Sequence, residues 1–334
     1  MDESHTIKKT SVAEMFLKVV KEQMAGDPMR EGVYWTNLSQ REIARRIEEK
    51  GMKVSTFVVK QLLKKHSFGK RKIKKQTTMK NVAERNKQFK KIAQLKKRYQ
   101  RQRNPVISVD TKKKEFLGMF YREGKLYTQE RLESYDHDFR SFAEGVVVPY
   151  GIYDLKLNHG YLYLGTSRDI SLYLGTSRDT SEFACANIAS WWEDYGKELY
   201  PKATSILCLC DGGGSNNSRH YIFKEDLQKI VNKLGIEIRI AHYPSYCSKY
   251  NPIEHCLFPH VTKAMKGVML TDIELAKRLI LDTSTSKGLA VNVDIIDKVY
   301  NKGRKASPEF RTNISILFDA ILPRWNYRAV PAIL

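Results

Sequence analysis

Two short apolar runs, each closed by an aspartate, constrain this chain more than anything else in it. Pro105-Val106-Ile107-Ser108-Val109 ends at Asp110, and Ser205-Ile206-Leu207-Cys208-Leu209-Cys210 ends at Asp211. Runs this short and this rich in Val, Ile and Leu read as buried strands. A carboxylate at the carboxyl end of such a strand lies at the rim of the sheet, where open α/β folds bind their ligands. Further along, KYNPIEH (249–255) offers Glu254 as a third carboxylate.

The charge says what those carboxylates would meet. Over 334 residues the formal net charge is +21. A balance that basic favours nucleic acid or an anionic membrane surface. No apolar stretch approaches the roughly 18 residues of a membrane span, and MDESHTIKKT at the start has no signal-peptide core. The partner expected is therefore nucleic acid, with no membrane and a cytoplasmic, nucleoid-associated location. The length exceeds what one core usually holds, so two or more domains are expected. The five cysteines (Cys185, Cys208, Cys210, Cys247, Cys256) include no C-x-x-C pair and read as reduced thiols. Cys208 and Cys210 should face the same side of their strand and pack as small apolar groups.

Ahead of the first strand the pattern is helical. Residues 11–25 place Val12, Met15, Phe16, Val19 and Met24 on or near one face, and GDP at 26–28 ends that segment. Residues 38–66 read as helix, short glycine turn, helix. Ser39 and Glu42 have capping-box spacing, Ile43 and Ile47 lie one turn apart, and Gly51 supplies a helix end. Ser55 can cap a second helix with Val58 or Val59, Leu62 and Leu63 inside. This is the helix-turn-helix pattern, and equally that of an ordinary helical hairpin. The outward Lys60, Lys64 and Lys65 favour DNA. On that reading Thr56, Phe57, Lys60 and Gln61 meet base edges while Lys64 and Lys65 meet phosphates.

From Lys64 to Arg103 there are seventeen Lys or Arg, among them Lys70, Arg71 and Lys72, against one acid, Glu84. Val82, Phe89, Ile92, Leu95 and Tyr99 recur near helical spacing, so 79–103 is expected to be a basic amphipathic helix. Charge this uniform repels itself without a polyanion nearby, and the segment reads as a linker along a DNA backbone. Six to ten phosphates neutralised would lower affinity roughly 10³ to 10⁵-fold between 50 and 200 mM salt. The boundaries that follow are a helix-turn-helix region (1–68), a basic linker helix (69–104) and a catalytic domain with a C-terminal extension (105–334).

Beyond residue 104 the order expected is strand (105–110), a mixed region to about 150, strand, helix (181–196), strand (205–210), helix (221–234), strand (236–242) and helix (252–266). Alternation of this kind argues for an α/β sheet covered by helices. The last seventy residues show one clear helix, 271–283; KGRKASPEF (302–310) reads as a surface loop and WNY (325–327) as a small apolar anchor. A tandem duplication interrupts this order: LYLGTSRDIS (162–171) is followed at once by LYLGTSRDTS (172–181). One copy is expected to pair in the sheet, the other to bulge out. The even length of ten preserves strand alternation, so either copy could serve.

Phosphodiester cleavage needs an activated water or hydroxyl and a way to stabilise the departing oxygen. Two divalent ions do both, and Mg²⁺ takes oxygen ligands while keeping several waters, so a few carboxylates suffice. Asp110, Asp211 and Glu254 meet that demand and imply a metal-dependent nuclease or strand transferase. Each also has a plainer reading. Asp110 can end a strand, and Asp211 opens DGGGSNN, where aspartates start turns. Asn251, Pro252 and Glu254 make a good capping box. Lys112 and Lys249, close in sequence to Asp110 and Glu254, are further candidate DNA contacts.

Several stretches carry a specific resemblance: SVDTKKKEFLG (108–118), HDF (137–139), VPYGIYDL (148–155), LGTSRDTSEF (174–183), CDGGGSNN (210–217), SKYNPIEHCLF (248–258) and WNY (325–327). The chain resembles the Rhodopirellula-type DDE transposases of bacterial insertion sequences, distant relatives of mariner-like enzymes, over residues 35–330. The resemblance implies an RNase H-like mixed sheet with flanking helices, behind an all-α helix-turn-helix region. It implies Asp110, Asp211 and Glu254 as the triad binding two Mg²⁺ or Mn²⁺ ions. It further implies cleavage at transposon ends, transfer of the freed 3′ hydroxyl into target DNA, double-stranded terminal repeats and target as partners, and a homodimer or higher assembly on DNA. Three departures stand out. Ser245-Tyr246-Cys247 replaces a Pro-Gly-Thr-like turn, the duplication falls in a sheet segment, and the sequence ahead of WTNLSQ is short, as in a truncated copy. Two rival readings stand beside this one: a relic that binds transposon ends without cutting, and an RNase H-like nuclease that does not transpose.

Overall fold

The computed structural model describes residues 3–22, 25–26, 34–71, 84–167, 180–213, 220–296, 298, 300 and 303–332. The chain divides into two compact units, Met1–Thr77 and Thr78–Leu334.

The first unit holds α1 (Glu3–Glu22), a two-stranded ribbon of β1 (Ala25–Gly26) and β2 (Tyr34–Trp35), α2 (Gln40–Glu49) and α3 (Thr56–Lys65). The capping box at the start of α2 forms as its spacing predicts. The Glu42 amide donates to Ser39 Oγ at 3.2 Å, and the Ser39 amide donates to Glu42 Oε2 at 2.9 Å. Ser55 caps α3 through the Val58 amide. Phe16, Val19, Val20, Ile43, Ile47 and Val59 close into one small core. Val59, not Val58, is the buried member of that pair. Gly51 takes φ +92° beyond the end of α2, a backbone region that side chains disfavour.

The second unit runs α4 (Arg85–Arg101), β3 (Val106–Thr111), β4 (Glu115–Leu117), β5 (Gly145–Asp154), β6 (His159–Ser167), α5 (Ser181–Trp191), α6 (Lys197–Leu199), β7 (Ser205–Cys210), α7 (Tyr221–Leu234), β8 (Glu237–His242), α8 (Ile253–Cys256), α9 (Phe258–Ala264), α10 (Ile273–Leu281), β9 (Ala290–Ile296), α11 (Pro308–Thr312), β10 (Leu317–Phe318) and β11 (Asn326–Ala329). Its sheet has the order β10-β11-β8-β7-β3-β5-β6-β9, with β4 added to β5. Within it β6-β5-β3 are antiparallel neighbours, and β3-β7-β8 are parallel. Counting from β3, the five central strands stand in the order 3-2-1-4-5, three antiparallel and then two parallel to the first. That is the RNase H-like arrangement.

Strand alternation sends each apolar run to two cores. Ile107 and Val109, with Cys208 and Cys210, join Phe183, Trp191, Phe223 and Leu227 on the face covered by α5 and α7. Val106, Leu207 and Leu209 turn the other way, against Ile92, Leu95 and Tyr99 of α4. The same second face carries α8, α9 and α10 through Ile253, Leu257, Phe258, Val261 and Ile280.

The basic helix expected as a linker is therefore built into this unit. Its apolar stripe covers the sheet, which leaves its cations on the remaining faces. Gln88 makes the attachment specific: its buried amide donates to the His242 carbonyl at 2.9 Å and accepts from Asn326 Nδ2 at 2.7 Å. An unpaired buried amide costs more than most surface contacts return, so this reciprocal pair fixes where α4 sits.

Three other expectations are modified. The single helix at 252–266 is broken at Leu257 into α8 and α9; Pro259 lacks the amide and its ring opposes the carbonyl four residues back. Asn326 and Tyr327 of WNY begin a strand, β11, paired antiparallel to β8. The tail after 283 adds β9, parallel to β6. Of the duplication, Leu162–Ser167 of the first copy pairs in β6 between β5 and β9. The remainder, through Asp179, lies outside the described residues. The second copy ends in Thr180-Ser181, and the Thr180 hydroxyl accepts the Phe183 amide and caps α5.

Candidate active site

Asp110 sits near the end of β3 and accepts the Thr111 amide at 2.8 Å. Asp211 is the first residue beyond β7 and accepts the Gly213 amide at 3.2 Å. The parallel register pairs Ser108 with Leu209, so two residues further on Asp110 runs beside Asp211. Both lie on the second face of the sheet, in phase with Val106 and Ser108 on one strand and Leu207 and Leu209 on the other.

Glu254 reaches the same place from α8. The capping box that Asn251-Pro252-Ile253-Glu254 spells does not form, since no side chain caps α8. Asn251 is fully buried and directs its side chain to β3 instead. Its Oδ1 accepts from Ser108 Oγ at 2.6 Å and its Nδ2 donates to the Val109 carbonyl at 3.2 Å. The Ile253 amide donates to Ser108 Oγ at 3.0 Å. The Glu254 carboxyl is left to hydrogen-bond with Asp110. Burial pushes that carboxyl above its usual range and the Asp211 charge adds to this, while the bond to Asp110 and the His255 and Lys112 charges oppose it.

Room for α8 and α9 comes from glycine. Gly151 pairs with Asp110 across β3 and β5, and a Cβ there would lie 2.6 Å from Phe258 Cε1 and 2.8 Å from Ile253 Cδ1. At Gly160 a Cβ would strike Leu257.

Behind Asp211, His242 is fully buried and its pKa falls to about 4, chiefly through burial. Its Nδ1 lies 2.8 Å from the Asp211 carbonyl and its Nε2 2.9 Å from Tyr327 Oη. A neutral ring donating from Nδ1 and accepting from the tyrosine satisfies all three groups. Ser108, Asn251, His242 and Tyr327 are thus the neighbours that the sequence reading missed or left as structural. A lone serine inside an apolar run was the available signal for Ser108.

The donor set fits a hard divalent cation by type. Three carboxylates supply oxygen ligands, and a cation would offset the burial and the Asp211 charge that raise the Glu254 carboxyl. The geometry is partial: among the described residues no three His, Cys, Asp or Glu side chains meet at ion-binding spacing. Asp110 and Glu254 are in contact, and Asp211 acts on Glu254 through its charge.

The candidate DNA contacts separate. On α3, Thr56, Phe57, Lys60, Gln61, Lys64 and Lys65 are all exposed, as are Lys70 and Arg71. Lys72 lies outside the described residues. Lys249 is exposed beside Tyr250, its ammonium 5.2 Å from the ring centre. Lys112 is a correction: it is buried and its ammonium pairs with Glu115, so it is a structural cation and not a surface for phosphate. Tyr246 takes φ +62° in the turn before the Ser-Lys, in the middle position of the expected Pro-Gly-Thr-like turn, so the turn keeps a glycine-like backbone without glycine.

Residues 15–331 match the family model described as the Rhodopirellula transposase DDE domain. The chain belongs to the Rhodopirellula transposase DDE family. Among solved structures, the transposase is similar to the Mos1 mariner paired-end complex with Mn (TM-score 0.42, 13% identity, covering 79% of this chain and 68% of that one). It is also similar to a pre-cleavage Mos1 transpososome (0.43, 14%, 80% and 69%) and to the Mos1 strand transfer complex (0.38, 15%, 80% and 68%). No curated protein matches the sequence. Among the described residues of this transposase, no helix is long and apolar enough to cross a membrane.

Proposed function

We propose that Asp110, Asp211 and Glu254 are the acidic triad with which this transposase cuts DNA at transposon ends and joins the freed 3′ hydroxyl to target DNA. The observation that carries this reading is convergence: the β3–β7 register sets Asp110 beside Asp211, and the bonds from Asn251 and Ile253 to Ser108 bring Glu254 of α8 to the same strand end. Half-buried carboxylates drawn together from separate elements by long-range folding are better explained by chemistry than by capping or turns, and the capping alternative for Glu254 is not used.

The triad would hold two Mg²⁺ or Mn²⁺ ions, which when bound activate the attacking water or hydroxyl and stabilise the leaving oxygen. The protein's own part is positional. The Thr111 amide orients Asp110, the Gly213 amide orients Asp211, and His242 fixes the Asp211 carbonyl. Lys112, held by Glu115, offsets the negative charge around Glu254. In the first unit, Thr56, Phe57, Lys60 and Gln61 are proposed to read bases while Lys64, Lys65, Lys70 and Arg71 bind phosphates, as a helix-turn-helix does. Lys249, exposed three residues after Tyr246, is proposed to contact DNA near the triad. The active form is proposed to be a dimer or higher assembly on paired ends.

The test is substitution with DNA binding as the control. Asp110→Asn, Asp211→Asn and Glu254→Gln should each abolish metal-dependent nicking of a duplex carrying the element's terminal repeat, while gel-shift affinity for that duplex persists. Retained nicking in any one removes that residue from the triad. A second reading, an end-binding relic, draws on one observation: the duplication begins within β6, in the sheet that carries Asp110. Wild-type protein that binds the repeat and never nicks it would favour the relic.

A further inference from the structure

α8 has four residues and ends where Leu257 breaks the helix, so it has little structure of its own to set its direction. A helix that short cannot hold a shape without external contacts. What holds it is a group of three hydrogen bonds to the end of β3. Ser108 Oγ donates to Asn251 Oδ1 at 2.6 Å and accepts the Ile253 amide at 3.0 Å, and Asn251 Nδ2 donates to the Val109 carbonyl at 3.2 Å. Ser108 and Asn251 are both completely buried. One hydroxyl thus binds the residue before Pro252 and the residue before Glu254, from a position two residues ahead of Asp110.

The placement is selective. Ser108 is the one polar residue among Val106-Ile107-Ser108-Val109, on a strand whose other inward positions are apolar. An alanine or valine would pack there and would leave Asn251 Oδ1 and the Ile253 amide without their Ser108 partner. The serine therefore does more than fill space: its two hydrogen bonds fix both the height of α8 above the sheet and the rotation of its first turn. Those two variables decide whether the Glu254 carboxyl meets that of Asp110.

We infer that Ser108 and Asn251 are positioning residues which set the Glu254 carboxylate against Asp110 and so determine how tightly the site takes a divalent cation and how fast it cuts. This rests on the triad reading above. Groups that orient metal ligands commonly change metal affinity about 10- to 100-fold when removed. Misplacing a reacting group by about 1 Å costs on the order of 10² in rate.

The test uses the full chain and a set of single and double variants. Mn²⁺ binding without DNA is followed by electron paramagnetic resonance, single-turnover nicking is measured on a terminal-repeat duplex, and gel shift measures end binding. Ser108→Ala should raise the half-saturating Mn²⁺ about 10-fold or more and slow nicking about 10²-fold, with end binding unchanged. Ser205→Ala is the control for loss of a buried hydroxyl elsewhere; that serine bonds Tyr99 at 2.7 Å, on the next strand and away from the triad. It should lower the unfolding temperature while leaving Mn²⁺ affinity and nicking within about twofold. Asn251→Ala combined with Ser108→Ala should lose no more than about the larger single effect, because the two act through one clamp. Wild-type Mn²⁺ affinity and rate in folded Ser108→Ala, or losses no greater than those of Ser205→Ala, overturn the inference. Should Ser108→Ala not fold, Ser108→Cys keeps the volume and weakens both bonds, and the same outcomes are read from it. Asp110→Asn separates the two levels: full nicking there overturns the triad and this inference with it, whereas loss of nicking there beside a normal Ser108→Ala overturns this inference alone.

Discussion

Gly151→Ala tests the packing that brings α8 to the sheet. Gly151 faces Asp110 across the β3–β5 ladder, and an added Cβ would lie 2.6 Å from Phe258 Cε1 and 2.8 Å from Ile253 Cδ1. Carbon atoms pack best at about 3.5–4.0 Å, so each contact is short by about 1 Å. Neither side chain can swing into solvent, because Ile253 and Phe258 are buried together with Leu257, Val261 and Leu162. The relief available is an outward shift of α8 by about 1 Å, and Glu254 moves with it. Overpacking of this kind costs about 1–3 kcal/mol. At about 2–4 °C per kcal/mol for a unit of this size, the unfolding temperature should fall by about 2–12 °C. The same shift should slow single-turnover nicking about 10²-fold while leaving affinity for the terminal repeat unchanged. Thermal unfolding by circular dichroism and nicking at saturating DNA measure the two effects separately. Phe258→Leu, which removes the nearest ring atoms, should recover part of both in the double variant. Wild-type stability and rate in Gly151→Ala, or no recovery in the double variant, would refute the steric account.

Four more outcomes follow from three other sites. Asp319 accepts from Nη1 of buried Arg239 on both carboxylate oxygens at 2.8 Å and from Lys91 of α4 at 2.9 Å, so Asp319→Ala leaves a guanidinium buried without this counter-charge. That should cost about 3–5 kcal/mol in urea unfolding, and the Asp319→Leu, Arg239→Met pair should restore most of it. Burial alone would raise the Asp319 carboxyl, but the Lys91 bond and the Arg239 charge hold it below its usual value. Its stabilisation is therefore complete above the unfolded value of about 3.9 and is lost as pH falls through the lower folded value. The stability gap between wild type and Asp319→Asn should accordingly narrow on acidification below about pH 4. Deleting 162–171 or 172–181 yields chains that differ only in Thr or Ile at the cap of α5, and the chain keeping Thr180 should be more stable by about 1 kcal/mol in the same assay. Tyr246→Gly should raise stability by about 1 kcal/mol, since tyrosine holds φ +62° there; an unchanged unfolding midpoint would count against strain in that turn.

What the sequence made legible follows from how local each signal is. β3 and β7 are short, mostly apolar runs buried on both faces, and α7 has its core face in phase, so their limits can be read directly. β9 and β11 hide because their polar residues have distant partners. Asn292 of β9 meets His159, and Asn326 of β11 pairs with Gln88 from the other end of the unit. A periodicity reading discounts such residues, while the fold satisfies them. In α4 the amphipathic pattern was plain, but what covers its apolar stripe was not: the charges pointed to DNA, and the sheet supplies the surface. The triad candidates could be named one at a time. Whether Glu254 caps its own helix or reaches Asp110 depends on Ser108 occupying Asn251, a contact between residues 143 positions apart.

The central claim is that Asp110, Asp211 and Glu254 together hold the catalytic ions. Anomalous diffraction at the manganese edge, from crystals grown with Mn²⁺ and a terminal-repeat duplex, tests it most directly. The account predicts manganese density in contact with carboxylate oxygens of all three residues, beside a phosphate of the bound end. Manganese bound elsewhere, or bound without Glu254, would contradict it.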